Sequence, residues 1–163
     1  MDIRAGVLTI SDKGSTGERK DESGAAVARM IGDHGYSVIK SDVIPDDRAE
    51  ISQTLVQWVD EYALNLILTS GGTGLSPRDV TPQATLDVIE FQVPGIAEAM
   101  RSASLKKTPH AMISRSVAGV RSSCLIINLP GSMKGAVENL EAVMPALDHA
   151  LSKLMGDTSD CAV

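Results

Sequence analysis

Apolar residues recur along this 163-residue chain with two alternating periods. Residues 7–10 (Val-Leu-Thr-Ile) form a short apolar run that predicts a buried strand, and residues 37–44 alternate well enough to predict a second. Residues 64–68 and 124–129 are further apolar runs of strand length. Between these runs the spacing changes to three and four. Val27, Met30, Ile31 and His34 share one helical face, which Gly35 stops. Ile51, Leu55, Trp58, Val59 and Tyr62 share another, opened by Asp47 and Glu50 in the manner of a capping box. A helix is predicted over 81–90, with Thr81 as its N-cap and Pro82 as its first residue. Another starts near Pro94 and turns Ile96, Ala99, Met100 and Ala103 inward. The last carries Val137, Leu140, Met144, Leu147, Leu151 and Leu154 on one stripe, and Pro145 inside it predicts a kink or a restarted turn. Residues 105–123 are the least regular, with Ala111-Met112-Ile113 as a candidate short strand.

Strands alternating with helices predict an α/β fold: a single three-layer domain whose mainly parallel sheet is covered by helices on both faces. It is expected to span residues 1–156, with 157–163 as a flexible acidic tail. In such sheets the ligand crevice lies at the carboxyl ends of the strands. Those ends carry Ser11-Asp12, Pro45-Asp46, the loop Gly71-Gly72-Thr73-Gly74, and Pro130-Gly131-Ser132. The polar and glycine-rich breaks thus converge on one edge of the sheet.

The loop at 71–74 is nearly free of side chains, so its backbone N–H groups can approach the oxygens of an anion, next to a helix start. Neither standard phosphate template applies. No Gly-Lys pair exists for a P-loop, and Gly72-Thr73-Gly74-Leu75-Ser76-Pro77 ends in proline where the dinucleotide fingerprint needs glycine. The alternative is a plain strand-to-helix turn capped by Asp79. Arg78, to recognise an anion, and Asp79, to hold a metal, weigh against it. Asp46 and Asp79 come from different strand ends but should face the same crevice. Two carboxylates beside a phosphate cradle repel the ligand unless a cation lies between them. Mg²⁺ suits, because it takes one or two carboxylates plus phosphate oxygens. The competing role for both aspartates is helix capping, which is the better reading for Asp47. Ser114 and Arg115 suit a terminal phosphate; Lys106 and Lys107 read as a solvated loop, and His110 receives no role.

Composition narrows the partners. The chain is long enough to bury roughly two-thirds of its unfolded surface, and 43% hydrophobic with 22% charged residues is ordinary for a globular domain. A net charge of −6 and only 2% aromatics leave neither a basic face nor a stacking platform for nucleic acid. Cys124 and Cys161 give no disulfide framework and no metal spacing. Cys124 reads as inert core, and Cys161 lies in the polar tail. No run approaches membrane-spanning length and no leader is read at the start, so a cytoplasmic protein is expected.

The segment TSGGTGLSPRDVTPQAT, with IPDD, MISRSVAGVR and LIINLPGS, resembles the molybdopterin adenylyltransferase family, which includes the G domain of gephyrin. The resemblance covers nearly the whole chain. It implies Mg²⁺ and ATP, transfer of AMP to the terminal phosphate of molybdopterin with release of pyrophosphate, a homotrimer, and hand-over of product to a molybdenum-inserting enzyme. It implies metal-linked catalysis for Asp46 and Asp79. It implies substrate binding for Gly71, Gly72, Thr73 and Gly74, for Ser114 and Arg115, and for Pro130, Gly131 and Ser132; Ser11 and Asp12 join this group from their place at a strand end. Met133 departs from the proline that such proteins often carry there. Alternatives are a non-catalytic pterin-binding scaffold of the same fold and a nucleotide-processing relative of the competence-damage type.

Overall fold

The computed structural model describes residues 2–159. Six strands form one sheet in the order β2-β1-β3-β6-β5-β4. The parallel part is β1 (Arg4–Ile10), β2 (Ser37–Ile44), β3 (Leu66–Ser70) and β6 (Cys124–Leu129). β5 (Ala118–Arg121) and β4 (Phe91–Gln92) extend it antiparallel at one edge. The helices are a single turn α1 (Asp12–Ser15), then α2 (Glu22–Asp33), α3 (Arg48–Asp60), α4 (Thr81–Leu86), α5 (Pro94–Leu105) and α6 (Met133–Leu154). The α/β three-layer expectation therefore holds, and no helix among the described residues is long and apolar enough to cross a membrane.

Strand alternation divides the core in two. Ala5, Val7, Leu66, Leu68, Leu125, Ile127 and Leu129 face α2, α5 and α6. Leu8, Ile10, Ile67, Cys124 and Ile126 face α3 and α4. Trp58 of α3, 2% exposed, packs closely against β1 because Gly6 has no side chain there; a Cβ at Gly6 would fall 2.7 Å from the indole ring. Trp58→Ala should cost about 3–5 kcal/mol, read as a shift of the urea midpoint at unchanged m-value. Cys124 is fully buried, and burial pushes its thiol up to about 12, as expected for inert core.

Several boundaries differ from the sequence reading. β3 runs over 66–70 rather than 64–68. Thr69 and Ser70 read as strand-closing polar residues, yet both are buried in the strand because each has a partner. Thr69 Oγ1 accepts from Asn128 Nδ2 (3.0 Å), and the Ser70 hydroxyl donates to Pro130 O (2.9 Å). β5 falls in the stretch read as least regular, and β4 in the unassigned gap between the helix predicted over 81–90 and the one starting near Pro94. Gly119 lets them pair, since a Cβ there would lie 2.8 Å from the Phe91 carbonyl oxygen. Residues 109–113 form a 3₁₀ turn, not a short strand. α5 buries Ala97 and Met100 and leaves Ala99 exposed. α6 passes through Pro145 without restarting; Glu141, four residues earlier, is exposed, so water can serve the freed carbonyl. Met133 opens α6 behind its Ser132 cap, so the departure from proline leaves that loop intact. Asp157 bonds back to Ser152 O (3.0 Å) at the end of α6; the rest of the expected tail, residues 160–163 with Cys161, lies outside the described residues.

Candidate active site on the carboxyl rim of the sheet

The carboxyl ends of four parallel strands meet as expected. Ser11 N–H donates to Ile44 O (2.9 Å), tying β1 to β2, and Gly71 N–H donates to Leu129 O (3.1 Å), tying β3 to β6. Gly131 packs on Gly71, where a Cβ would sit 3.2 Å from the Gly71 Cα. The glycine loop is pressed onto β1: Gly71 has φ +109°, and a Cβ there would fall 2.2 Å from the Ile10 carbonyl oxygen. Gly72 also has positive φ, +64°.

Three of the loop's four carbonyls are committed. Gly72 O accepts from Thr81 N–H (3.1 Å), Thr73 O from Arg115 N–H (2.9 Å) and Gly74 O from Arg115 Nε (2.7 Å). Arg115 Nη2 reaches further, to Asp79 O (2.6 Å). The N–H groups of Gly72, Thr73 and Gly74 donate to nothing among the described residues. Consecutive backbone N–H groups left without partners are donors of the kind that can take an anion. The positive end of α4 does not join them. That helix has six residues, its first N–H is spent on Gly72 O, and Val80 rather than Thr81 is its N-cap.

Asp46 and Asp79 stand on this rim. Asp79 Oδ2 accepts from Ser76 N–H (2.9 Å) and lies 2.9 Å from where a Cβ on Gly74 would be. Asp46 Oδ1 lies 3.1 Å from the corresponding point on Gly72. The two carboxylates thus flank neighbouring glycines of one loop, close enough for the Asp79 charge to act on Asp46. Asp46 is locked to Asp12 by a reciprocal pair: Asp12 N–H donates to Asp46 Oδ2 and Asp46 N–H to Asp12 Oδ1, both 3.0 Å. The Arg78 guanidinium then grips Asp12 in a fork, Nε to Oδ2 at 3.0 Å and Nη2 to Oδ1 at 2.7 Å. Arg78, read from sequence as a free anion receptor, is therefore held by Asp12.

These contacts split the two acids. The Arg78 hydrogen bond, helped by the Asp46 N–H, holds the Asp12 carboxyl below the usual range. Burial chiefly, with the Asp12 and Asp79 charges, pushes Asp46 up. The signs are opposite. Asp12 contributes stability above its ordinary pKa that is lost as pH falls through its lowered value. Asp46 opposes folding progressively as pH rises from its ordinary pKa through its raised one. A divalent cation, were one to bind at Asp46, would compete with a proton held more tightly than by a free carboxylate. Divalent affinity should therefore fall on acidification already above the ordinary aspartate range, which calorimetric titration between pH 7 and pH 4.5 would reveal as a steepening loss.

Two cavities adjoin the rim and share Ser132, which also caps α6 by accepting from Gly135 N–H (3.1 Å). One, about 280 Å³, is bounded by Thr73, Gly74, Arg101, Ser114 and Pro130. The other, about 420 Å³, is bounded by Thr9, Ser11, Arg19, Asp21 and Ser23. Asp46 and Asp79 line neither; they stand beside them on the open rim. Ser114 is placed by the 3₁₀ turn, not by a strand end, and its hydroxyl donates to Ser116 Oγ (3.1 Å). Arg115 is a clamp on the glycine loop rather than a free fork. The cation facing the smaller cavity is Arg101 from α5, whose Nη1 donates to Ser116 O (2.9 Å). It was missed because nothing in a lone arginine on an amphipathic helix marks it, and only the packing of α5 against the 3₁₀ turn brings it there.

The chain is similar to known proteins along most of its length. The family profile described as a probable molybdopterin binding domain matches residues 6–149. A molybdopterin adenylyltransferase of Helicobacter pylori (strain J99) is 40% identical over 157 residues, covering 95% of this chain and 89% of that protein. Gephyrin of Dictyostelium discoideum is 42% identical over 156 residues, covering 90% of this chain and 22% of gephyrin. Among solved structures, the molybdopterin biosynthesis enzyme MoaB of Thermus thermophilus is 50% identical with a TM-score of 0.90, covering 95% of this chain and 98% of that one. Sequence and fold together place the chain in the molybdopterin-binding family of molybdenum cofactor biosynthesis.

Proposed function

We infer that the chain is a molybdopterin adenylyltransferase, a nucleotidyltransferase that moves AMP from ATP to the terminal phosphate of molybdopterin. The observation that carries this reading is the placement of Asp46 beside Gly72 and Asp79 beside Gly74 of one glycine loop, whose N–H groups at 72–74 have no partner among the described residues. Support also comes from relatives that carry this activity in their names along most of the chain.

An oxygen of the pterin phosphate attacks the α-phosphorus of ATP. A new P–O bond forms there, the bond from the α-phosphorus to the bridging oxygen breaks, and pyrophosphate leaves with its electron pair. Both reactants are anionic, so the work of the site is alignment and charge compensation, and no covalent enzyme nucleophile is required. The N–H groups of Gly72, Thr73 and Gly74 hold phosphate oxygens. Arg115, through Gly74 O and Asp79 O, keeps the loop and the carboxylate in register. Ser114, on the cavity that Arg101 also faces, orients the pterin phosphate, while Ser11 on the far side of Ser132 serves the nucleotide. Pro130 and Gly131 hold the floor between them, and Asp12 acts by fixing Asp46.

Asp46 and Asp79 fit a divalent cation. They are two acidic oxygen ligands with room kept by glycine, and the crowding of negative charge at Asp46 is what a cation would relieve. Mg²⁺ held there would offset the charge of the phosphates as they meet. The same reading takes the protein as a cytoplasmic homotrimer that passes its product to a molybdenum-inserting enzyme. Exposed Met112 and Ile113 are apolar surface available for self-association, which sedimentation would measure. The decisive assay combines the chain with ATP, Mg²⁺ and molybdopterin. Pyrophosphate and adenylylated pterin are expected in equal amounts. Pterin binding with no ATP-dependent product would reduce the chain to a binding scaffold.

A further inference from the structure

Two buried side-chain oxygens lack a hydrogen-bond partner among the described residues, Thr81 Oγ1 and Gln83 Oε1. Thr81 is fully buried and lies at the rim. A Cβ added to Gly72 would fall 2.3 Å from its hydroxyl oxygen and 3.1 Å from Asp46 Oδ1, so both oxygens border the one small space that this glycine keeps open. The hydroxyl does not cap its helix, since α4 has no side-chain cap. It also does not join the nearby buried network, in which Thr85 Oγ1 donates to Thr81 O and accepts from Asn128 Nδ2. Valine has the same shape as threonine without the polar group, so packing alone gives no reason for an unsatisfied hydroxyl here.

We propose that Thr81 is a third, neutral oxygen of the cation site, whose hydroxyl finds its missing partner in a water of the divalent ion shared by Asp46 and Asp79. The proposal rests on the cation reading of the two aspartates. A strongly hydrated Mg²⁺ keeps several of its waters, and these need acceptors near the carboxylates. A hydroxyl serves without adding a third negative charge to a site where Asp46 already feels two neighbours. Thr81 is thus a positioning residue that acts through the cation's water shell.

The test uses the whole protein with Mn²⁺ alone, followed by its electron paramagnetic resonance, and thermal melting without metal. Thr81→Val should melt at or above the wild-type temperature and bind Mn²⁺ about tenfold more weakly, with the Mg²⁺ concentration for half-maximal turnover raised in parallel. Thr81→Ser should restore Mn²⁺ affinity to near the wild-type value. If Thr81→Val binds Mn²⁺ as wild type does, or if Thr81→Val and Thr81→Ser both melt lower with Mn²⁺ affinity unchanged, the hydroxyl is structural and the proposal is overturned. Asp79→Asn separates the two levels. If it binds Mn²⁺ as tightly as wild type, or if wild type binds none, the cation reading itself fails and takes this role with it.

Discussion

Asp79→Asn should leave the protein folded and lower adenylyl transfer by at least about a hundredfold, the scale on which single electrostatic groups act at a reacting phosphate. The amide keeps an oxygen for the Ser76 N–H, so the loop 76–79 retains its shape while the charge is lost. Asp46→Asn should be equally damaging to turnover but differ in stability. Its oxygen can still accept from Asp12 N–H. Burial and neighbouring negative charge make the ionised Asp46 unfavourable in the free protein, so the neutral variant should melt higher at pH 7. Pyrophosphate release and differential scanning calorimetry, each with and without Mg²⁺, distinguish the two substitutions. Retention of more than a tenth of wild-type turnover by either variant would remove the paired-carboxylate mechanism.

The second large effect is conformational. Gly71→Ala should cost about 3 kcal/mol, seen as a fall in melting temperature of roughly 6–12 °C, together with loss of turnover. At φ +109° an L residue is strained, and its Cβ would strike the Ile10 carbonyl oxygen, which belongs to the backbone and has no rotamer to yield. Gly74→Ala offers the contrast. Its Cβ would meet Asp79 Oδ2 at 2.9 Å, the end of a side chain that can swing away. Stability should then change little while turnover falls, because the displaced group is the carboxylate itself. Equal melting losses for the two variants would show that the loop is not pinned to β1 in the way its close contact implies.

Local pattern carried a good part of this. Apolar spacing placed α3 and β6 closely, because α3 buries one face against the sheet and β6 buries both; β2 also lies where its alternation puts it, although none of its residues is fully buried. The glycine loop and the aspartates at strand ends were legible for a related reason. Chain breaks in a parallel sheet fall at its ends, and alternate breaks fall on the same side. Where the pattern was short it failed. β4 has two residues and β5 four, too few for any period, and their pairing depends on Gly119 meeting Phe91 across the edge. Thr69 and Ser70 were read as the end of a strand because sequence does not reveal that Asn128 and Pro130 wait for their hydroxyls.

The sequence by itself determined the class of fold, the rim on which chemistry gathers, and the two acids that stand there, since each follows from composition and spacing within a short window. Only the tertiary structure decided which charges are spent and which are free. Arg78 is taken by Asp12, Arg115 by two loop carbonyls, and Arg101 is carried to a cavity from a helix with no motif. Thr81, which looks like a helix cap, is instead a buried hydroxyl beside Gly72 with no partner among the described residues. The physical reason is one of range: periodicity is a property of neighbours along the chain, whereas a hydrogen bond between Arg78 and Asp12 joins residues 66 positions apart and exists only once the sheet has brought their strands together.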